Sequence, residues 1–400
     1  MTLKRSSQLA LASAVSLLAA GLLTACGTLT VDFVFVTSAK ASGANNFGLI
    51  DVFEVNSESG KMKHIPTSPF PSGGRNPVAE ATSSDSTTLY VVNEDDNSIV
   101  QFAIGNDGKV YPQNTVNTPG IFPLSVSVGG KFLFVTDTYQ QLPSCSPASP
   151  CSGAIGVFPI GTANALGSAI VNASINANYW PLSLPSSTGD ILTPTGITTA
   201  ASGAYVYVAA VDSTSSAGYV FSFAVNADGT LTPLNGGAPF AAGKHPSAVA
   251  ANSGGTVVYV TDSGTNSVFA FSSNAGILTP VGGSPFPTGN APDAVVVDAT
   301  GNYVFVANSL DSNLTAYSSS GGVLSSLGTY ATGTQPVAIG IDPSLNQYLY
   351  TANFLGNSVT GFQINASTGA LLLSQGSPYG ANTNPTAVAA IPHGAVQNEH

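Results

Sequence analysis

Between Pro292 and Leu327 the chain reads PDAVVVDATGNYVFVANSLDSNLTAYSSSGGVLSSL. Four runs rich in β-branched and aromatic residues, DAVVVD, NYVFVAN, NLTAYS and VLSSL, are each bounded by Gly, Asn, Asp, Ser or Pro. That pattern predicts four short strands joined by tight turns. The same pattern recurs from Pro77, Pro246 and Pro336, and the equivalent positions Asp262, Asn308 and Asn353 lie 46 and 45 residues apart. Four strands repeating at a period near 45 predict the blades of a propeller. The second-strand run occurs seven times, ending near Thr37, Asn93, Asp137, Ala210, Asp262, Asn308 and Asn353.

The first-strand run also occurs seven times, out of phase. The leading unit opens directly on the second-strand run VDFVFVT at Val31, and an orphan first strand, PTAVAAI, stands at Pro385–Ile391. The expected fold is therefore all-β: a seven-bladed β-propeller of four-stranded antiparallel blades over residues 31–391. The C-terminal strand pairs into the first blade and closes the ring, which leaves no open edge between the termini. Residues 392–400 form a polar tail.

Composition adjusts this picture in two places. Gly (43) and Pro (26) are frequent, as a chain turning every few residues requires. Charged residues make up only 7%, and the net charge of −11 argues against nucleic acid as a partner.

The first thirty residues follow a different pattern. Lys4 and Arg5 precede an apolar run from Leu9 to Leu23, too short for a comfortable span, which ends in Leu23-Thr24-Ala25-Cys26-Gly27. This predicts a lipoprotein signal peptide over 1–25, lipidation of Cys26, and a short linker over 26–30. An ordinary signal peptide with an incidental Cys26 is the alternative. The first reading makes the membrane a partner through lipid and places a monomeric ring in the cell envelope, at the outer membrane or cell surface. An exported chain meets oxidising conditions, so Cys145 and Cys151 in CSPASPC are expected to form a disulfide. A metal pair is the alternative, without a histidine or third thiol nearby.

The third unit is longer than the period, with extra sequence at 138–153 and 176–194. Both are expected to stand on the face that carries the loops into first strands and out of second strands. Trp180 and Tyr179 in the second insertion read either as an aromatic platform for a ligand or as packing of the insertion onto its blade.

Function is expected on that face, around the central opening. Basic residues are scarce there, which singles out Arg75 in SGGRNP and Lys244-His245 in AGKHP; Glu94, Asp95 and Asp96 lie one loop from Arg75. Cations, a histidine and carboxylates around one opening can bind and polarise a small anionic sugar or lactone. Chance placement of loop charges is the plain alternative. Asn93 to Asn97 offers hard oxygens without the spacing of a calcium loop, and no metal or other cofactor is expected.

The strand motif Tyr303–Asn308 and the strand start Asn266-Ser267-Val268 resemble those of the seven-bladed lactonase propellers, typified by 6-phosphogluconolactonase and carboxymuconate-cyclising enzymes, and of the YVTN-repeat surface propellers. The resemblance covers the whole mature chain. The lactonase branch carries a G-P-R-H loop followed after the next strand by V-x-N-E. Here Gly74-Arg75-Asn76 matches the glycine and arginine, with Asn76 at the histidine position, and Asn93-Glu94 matches N-E. Gly243-Lys244-His245 matches the glycine and histidine, with lysine for arginine. The branch's P-H-x-H loop has no counterpart except the dipeptide Pro392-His393. The resemblance implies Arg75, Glu94 and His245 as catalytic residues, with Asn76, Asn93 and Lys244 contacting the ligand; Trp180 joins them only on the platform reading. With the histidines incomplete, the expectation is a lipid-anchored ring that binds a ligand or an envelope protein. An extracytoplasmic lactone hydrolase using Arg75 and Glu94 is the alternative.

Overall fold

A computed structural model describes residues 30–39, 44–185, 189–200, 203–342 and 347–393. Cys26, the leader and the tail from 394 lie outside them. The described chain forms seven antiparallel sheets, each built on four strands in meander order. The inner strands, Pro385–Pro392 of blade 1, Pro77–Thr82, Gly120–Gly129, Leu192–Thr199, Pro246–Ala251, Pro292–Val297 and Pro336–Ile341 of blade 7, contact one another in sequence around a closed ring. The expected closure is present. Pro385–Pro392 pairs antiparallel with Thr30–Ser38, setting Ala387 opposite Thr37 and Ile391 opposite Phe33.

Seven apolar clusters hold the ring, one at each blade-to-blade interface. Along one second strand the parity is plain: Phe33 and Phe35 pack on blade 2, Val34 and Val36 on blade 7. A sheet buried on both faces needs continuous apolar runs, and this is why VDFVFVT and YVFVAN show no polar alternation.

The N-S-V motif has a structural task. Asn97, Asn266 and Asn357 sit at left-handed φ just before third strands. Each accepts, through Oδ1, a backbone N–H from the loop of the next blade, at Phe122 (2.7 Å), Ala291 (2.9 Å) and Asn384 (2.9 Å). The last of these latches blade 7 to blade 1. Asparagine tolerates the left-handed region and offers the acceptor, so it suits this position.

Blade 3 departs from the regular plan in a way the sequence did not locate. Its second strand runs on to Gln140, and its outer strand is only Trp180–Pro181. The longest excursion is residues 160–179, which turns on the opposite face and straps the neighbouring blade: the Leu166 N–H donates to Gln101 Oε1 (3.1 Å) and the Tyr90 hydroxyl to the Asn164 carbonyl (2.9 Å). The remaining extra residues do meet on the expected face. Gly153 N–H donates to the Leu192 carbonyl (2.8 Å), and Ser152 Oγ to the Asp190 carbonyl (3.1 Å). The Cys145–Cys151 disulfide closes the adjoining loop, with Cα atoms 5.4 Å apart.

Candidate functional site

The seven inner strands enclose a central cavity of about 400 Å³. Each contributes three consecutive residues near its start, such as Val78-Ala79-Glu80 in blade 2 and Ser247-Ala248-Val249 in blade 5. The cavity therefore sits toward the face on which the loops enter the inner strands. A bulge in each inner strand defines its mouth. The ladder skips one residue per blade: Thr386, Val78, Leu124, Thr195, Ser247, Asp293 and Val337, in order from blade 1 to blade 7. A bulge re-aims a side chain out of the alternating pattern. Here the seven repeats place one such residue each at the same level of the ring. Thr195, Ser247 and Asp293 make a polar arc on blades 4 to 6, while Val337, Val78 and Leu124 give blades 7, 2 and 3 an apolar side.

On the rim of blade 2, Arg75, Asn76 and Glu94 come together as the sequence suggested. Asn76 sits at left-handed φ (51°), and its Nδ2 donates to Glu94 Oε2 (2.6 Å). The Glu94 N–H donates to the Asn76 carbonyl (2.9 Å). Desolvation first, and then the neighbouring Asp95 charge, raise the Glu94 carboxyl above its ordinary range. Arg75 folds back on the same turn: its backbone N–H donates to Asp96 Oδ2 (2.7 Å) and its Nε to Asp96 Oδ1 (2.7 Å). Its Nη2 also reaches Asp96 Oδ1 (2.6 Å) and the Asp95 carbonyl (3.2 Å). Burial alone raises the Asp96 carboxyl, but the Arg75 hydrogen bonds and charge outweigh it and leave Asp96 below its ordinary range.

On the rim of blade 5, Asp262 is fully buried and holds the loop by its backbone, accepting from the Lys244 N–H (3.1 Å) and the His245 N–H. Gly243 is required here, since a Cβ on it would lie 2.1 Å from Asp262 Oδ2. The Lys244 and His245 side chains are exposed. Burial raises the Asp293 carboxyl in the mouth of the next blade, and the Ser309 hydroxyl first, and then the nearby His245, offset part of that rise.

The expected single constellation does not form. Arg75 and Glu94 stand on blade 2, Lys244 and His245 on blade 5, with blades 3 and 4 between them on the shorter way round. None of these four lines the cavity. Two further expectations are corrected. Trp180 is only 5% exposed and packs in the cluster between blades 3 and 4, because its outer strand pairs it opposite Ile155. Asn93 is wholly buried, covered by Gly74, whose Cβ position is 2.5 Å from Asn93 Cγ. Neither presents a surface to a ligand. No group of three or more metal-type side chains occurs among the described residues.

Two acids at the cavity were passed over in the sequence. Asp293 is the second residue of PDAVVV. Glu80 stands in PVAEAT, where the matching strand of blade 5 has Val249. Both oxygens of Glu80 are sealed from solvent without a hydrogen-bond partner among the described residues. Burial pushes its carboxyl up to about 8; the nearby Ala389 backbone N–H, on the inner strand of blade 1 and outside ordinary hydrogen-bond geometry, lowers it only in part. A lone acid in an otherwise apolar first strand was the signal available for each.

Comparison with known proteins accords with this architecture. The family model described as lactonase, 7-bladed beta-propeller matches residues 33–177 and 274–390. A search of curated proteins finds no match. Among solved structures, a putative 6-phosphogluconolactonase from Bacteroides fragilis superposes with a TM-score of 0.69 at 20% identity, over 91% of this chain and 99% of that one. The periplasmic gluconolactonase of Pseudomonas aeruginosa superposes with a TM-score of 0.70 at 17% identity, over 90% and 99%. A second putative 6-phosphogluconolactonase, from Bacteroides uniformis, gives 0.67 at 19% identity, over 90% and 99%. With the ring, the closing strand and the family match in agreement, the chain belongs to the lactonase family of seven-bladed β-propellers.

Proposed function

We propose that the protein is a lactone hydrolase of the cell envelope, held to the membrane by lipid on Cys26, with its reacting groups on the rim of blade 2. The observation that carries this reading is Glu94: a half-buried carboxylate, raised above its ordinary range and oriented by Asn76, one loop from the only arginine of the mature chain. A carboxylate shifted toward neutral pH is a better general base than a free one. Glu94 takes a proton from water as the water oxygen attacks the lactone carbonyl. Arg75, half-exposed on the same rim and paired with Asp96, supplies positive charge to the oxyanion that develops. The acyl C–O bond then breaks, the ring oxygen receives the proton, and the product is the open hydroxy acid. Family membership and the gluconolactonase among the structural neighbours support the substrate class of small lactones.

A second reading is a ring that binds a small anionic sugar acid, or an envelope protein, without turning it over. One observation favours it. The clamp that holds Arg75 recurs in blade 6 without a cation, where Asn290 donates through its N–H and Nδ2 to Asp311 (both 2.8 Å). Arg75 can thus be explained as loop architecture. Anchor-less protein assayed against sugar and simple γ-lactones separates the two readings. Glu94→Gln is expected to lower kcat/KM by about a hundredfold or more, within the usual range for general-base loss, at an unchanged melting temperature. Turnover equal to wild type in Glu94→Gln sinks the mechanism, and absence of turnover throughout the panel leaves the binding reading.

A further inference from the structure

The central cavity is poorly matched to a polyhydroxylated ring. Below its mouth six of the seven blades place an aliphatic side chain at the third lining position, Val388, Val126, Ile197, Val249, Val295 and Ile339, and Ser125 is the one hydroxyl between them and the mouth. The seventh blade places Glu80 at this level, with both its carboxylate oxygens sealed from solvent. At the mouth, the Thr386 hydroxyl is already donated to the Pro77 carbonyl (2.8 Å) and the Ser247 hydroxyl to the Pro292 carbonyl. A sugar placed there loses water from its hydroxyls and finds few free partners, which is costly. The apolar character also continues outward. Leu310 and Leu355, at matching positions in the turns after the second strands of blades 6 and 7, are 76% and 60% exposed on the same face.

Chain connectivity ties this cavity to the proposed reacting groups. Asn76, the residue that orients Glu94, is followed by Pro77 and then by Val78, the blade 2 residue of the bulge ring. A lactone ring held at Glu94 is thus close along the chain to Val78, which with Leu124 of blade 3 gives this side of the mouth an apolar edge; Val337 lies beyond Thr386 of blade 1. A cavity of about 400 Å³ is within the usual size range of small-molecule pockets. It is large enough for an alkyl substituent, which its aliphatic level can cover.

We propose that the substrate is a lactone bearing an unbranched apolar substituent, which enters the central cavity while the ring is held at the rim of blade 2. This rests on the hydrolase reading for the position of the ring, and on the cavity alone for the apolar chain. The polar arc of Thr195, Ser247 and Asp293, across the mouth, sets the side on which the chain does not run.

The test compares γ-lactones bearing methyl, butyl and hexyl groups with gluconolactone. In parallel, calorimetry measures binding of the ring-opened 4-hydroxy acids of the same series. Each added methylene is expected to raise affinity, and kcat/KM where turnover occurs, by up to about fourfold, the equivalent of ~0.8 kcal/mol per buried CH₂. Val337→Phe, which narrows the mouth, is expected to abolish the gain from longer chains. Val337→Asn, of similar size, is expected to reduce it, and protects the test against misfolding of the first variant. Chain-dependent binding without turnover of any lactone upholds the apolar cavity and removes only the hydrolase reading. Affinity and turnover indifferent to chain length overturn the proposal, even if gluconolactone is hydrolysed.

Discussion

Blades 2 and 5 carry the same loop at the same point of the repeat, Gly-Arg-Asn-Pro in one and Gly-Lys-His-Pro in the other, and they hold it in opposite ways. In blade 5 the buried Asp262 takes the backbone, and the cationic side chains are left in solvent. In blade 2 the corresponding Asn93 is buried without hydrogen bonds to its amide, and the loop is held from outside by Asp96, which takes the backbone and the guanidinium of Arg75 together. The loop that most resembles a lactonase motif therefore has its cation engaged, while the loop that departs from it has free side chains. A motif match alone does not say whether a side chain is available. The partner that competes for it must be identified as well.

The difference extends to the inner strands. Blade 2 places Glu80 where blade 5 has Val249, three residues after the proline in each. A carboxyl whose folded value of about 8 lies above its ordinary 4.5 keeps its proton in the native state at pH values where the unfolded chain has released it. Stability must then fall as pH rises from about 4.5 to about 8, by up to about 1.4 kcal/mol per pH unit, and level off above that. Giving blade 2 the blade 5 residue, Glu80→Val, is expected to remove this component. The variant should exceed wild type by a few kcal/mol in urea unfolding at pH 9, with the gap closing near pH 4. A residual decline is expected in the variant, since burial also pushes Asp32 and Asp137 up to about 7 each. Equal stability of variant and wild type at pH 9 would mean that Glu80 finds a partner in solution.

Much of this molecule could be read from its sequence, because the repeat is written in hydrophobicity and turn chemistry. The second strands are buried on both faces, so their apolar runs are continuous, and PTAVAAI announces the closing strand by lacking a partner of its own. The site was far less legible. Trp180 and Tyr179 read in sequence either as a platform or as packing of the insertion, and an outer strand of two residues presses Trp180 into the interface with blade 4. Arg75 and His245 seem comparable as loop cations, but sequence gives neither their separation around the ring nor the competing Asp96. The bulge ring is invisible too, since a skipped residue leaves no mark on composition. Only the prolines that precede all seven bulges, as in Pro77-Val78 and Pro292-Asp293, hint at it.

The two ways of holding the loop differ in what they cost to remove. Asp262 is wholly buried and accepts from the Lys244 N–H, the His245 N–H and the Thr265 hydroxyl. Asp262→Ala leaves those donors without a partner and opens a small cavity, for an expected loss of about 2–4 kcal/mol in chemical unfolding. Asp262→Asn should lose less, because blade 6 does the same work with an amide: Asn308 Oδ1 accepts the Gly289 N–H at 3.0 Å. A variant order with Asn no better than Ala would show that the charge, and not the acceptor geometry, holds blade 5.

Asp96 provides the mildest and most discriminating change. Its pair with Arg75 is exposed, and such pairs contribute little to stability. Asp96→Asn keeps an acceptor for the Arg75 N–H, as the turn of blade 2 requires, but surrenders the charge. Its melting temperature should stay within about 2 °C of wild type. The consequence lies in the availability of the guanidinium. If a substrate anion or oxyanion must draw Arg75 away from Asp96, loss of the competing charge makes that exchange easier. The variant should then bind gluconate more tightly than wild type, by about two- to fivefold, with the gain shrinking as salt is raised. Asp311→Asn in blade 6, where the clamp holds an uncharged Asn290, is the matched control and should change nothing. Equal gluconate affinity in wild type and Asp96→Asn would assign Arg75 to the architecture of its loop. The reacting chemistry would then fall to Glu94 alone, or to the free side chains of blade 5.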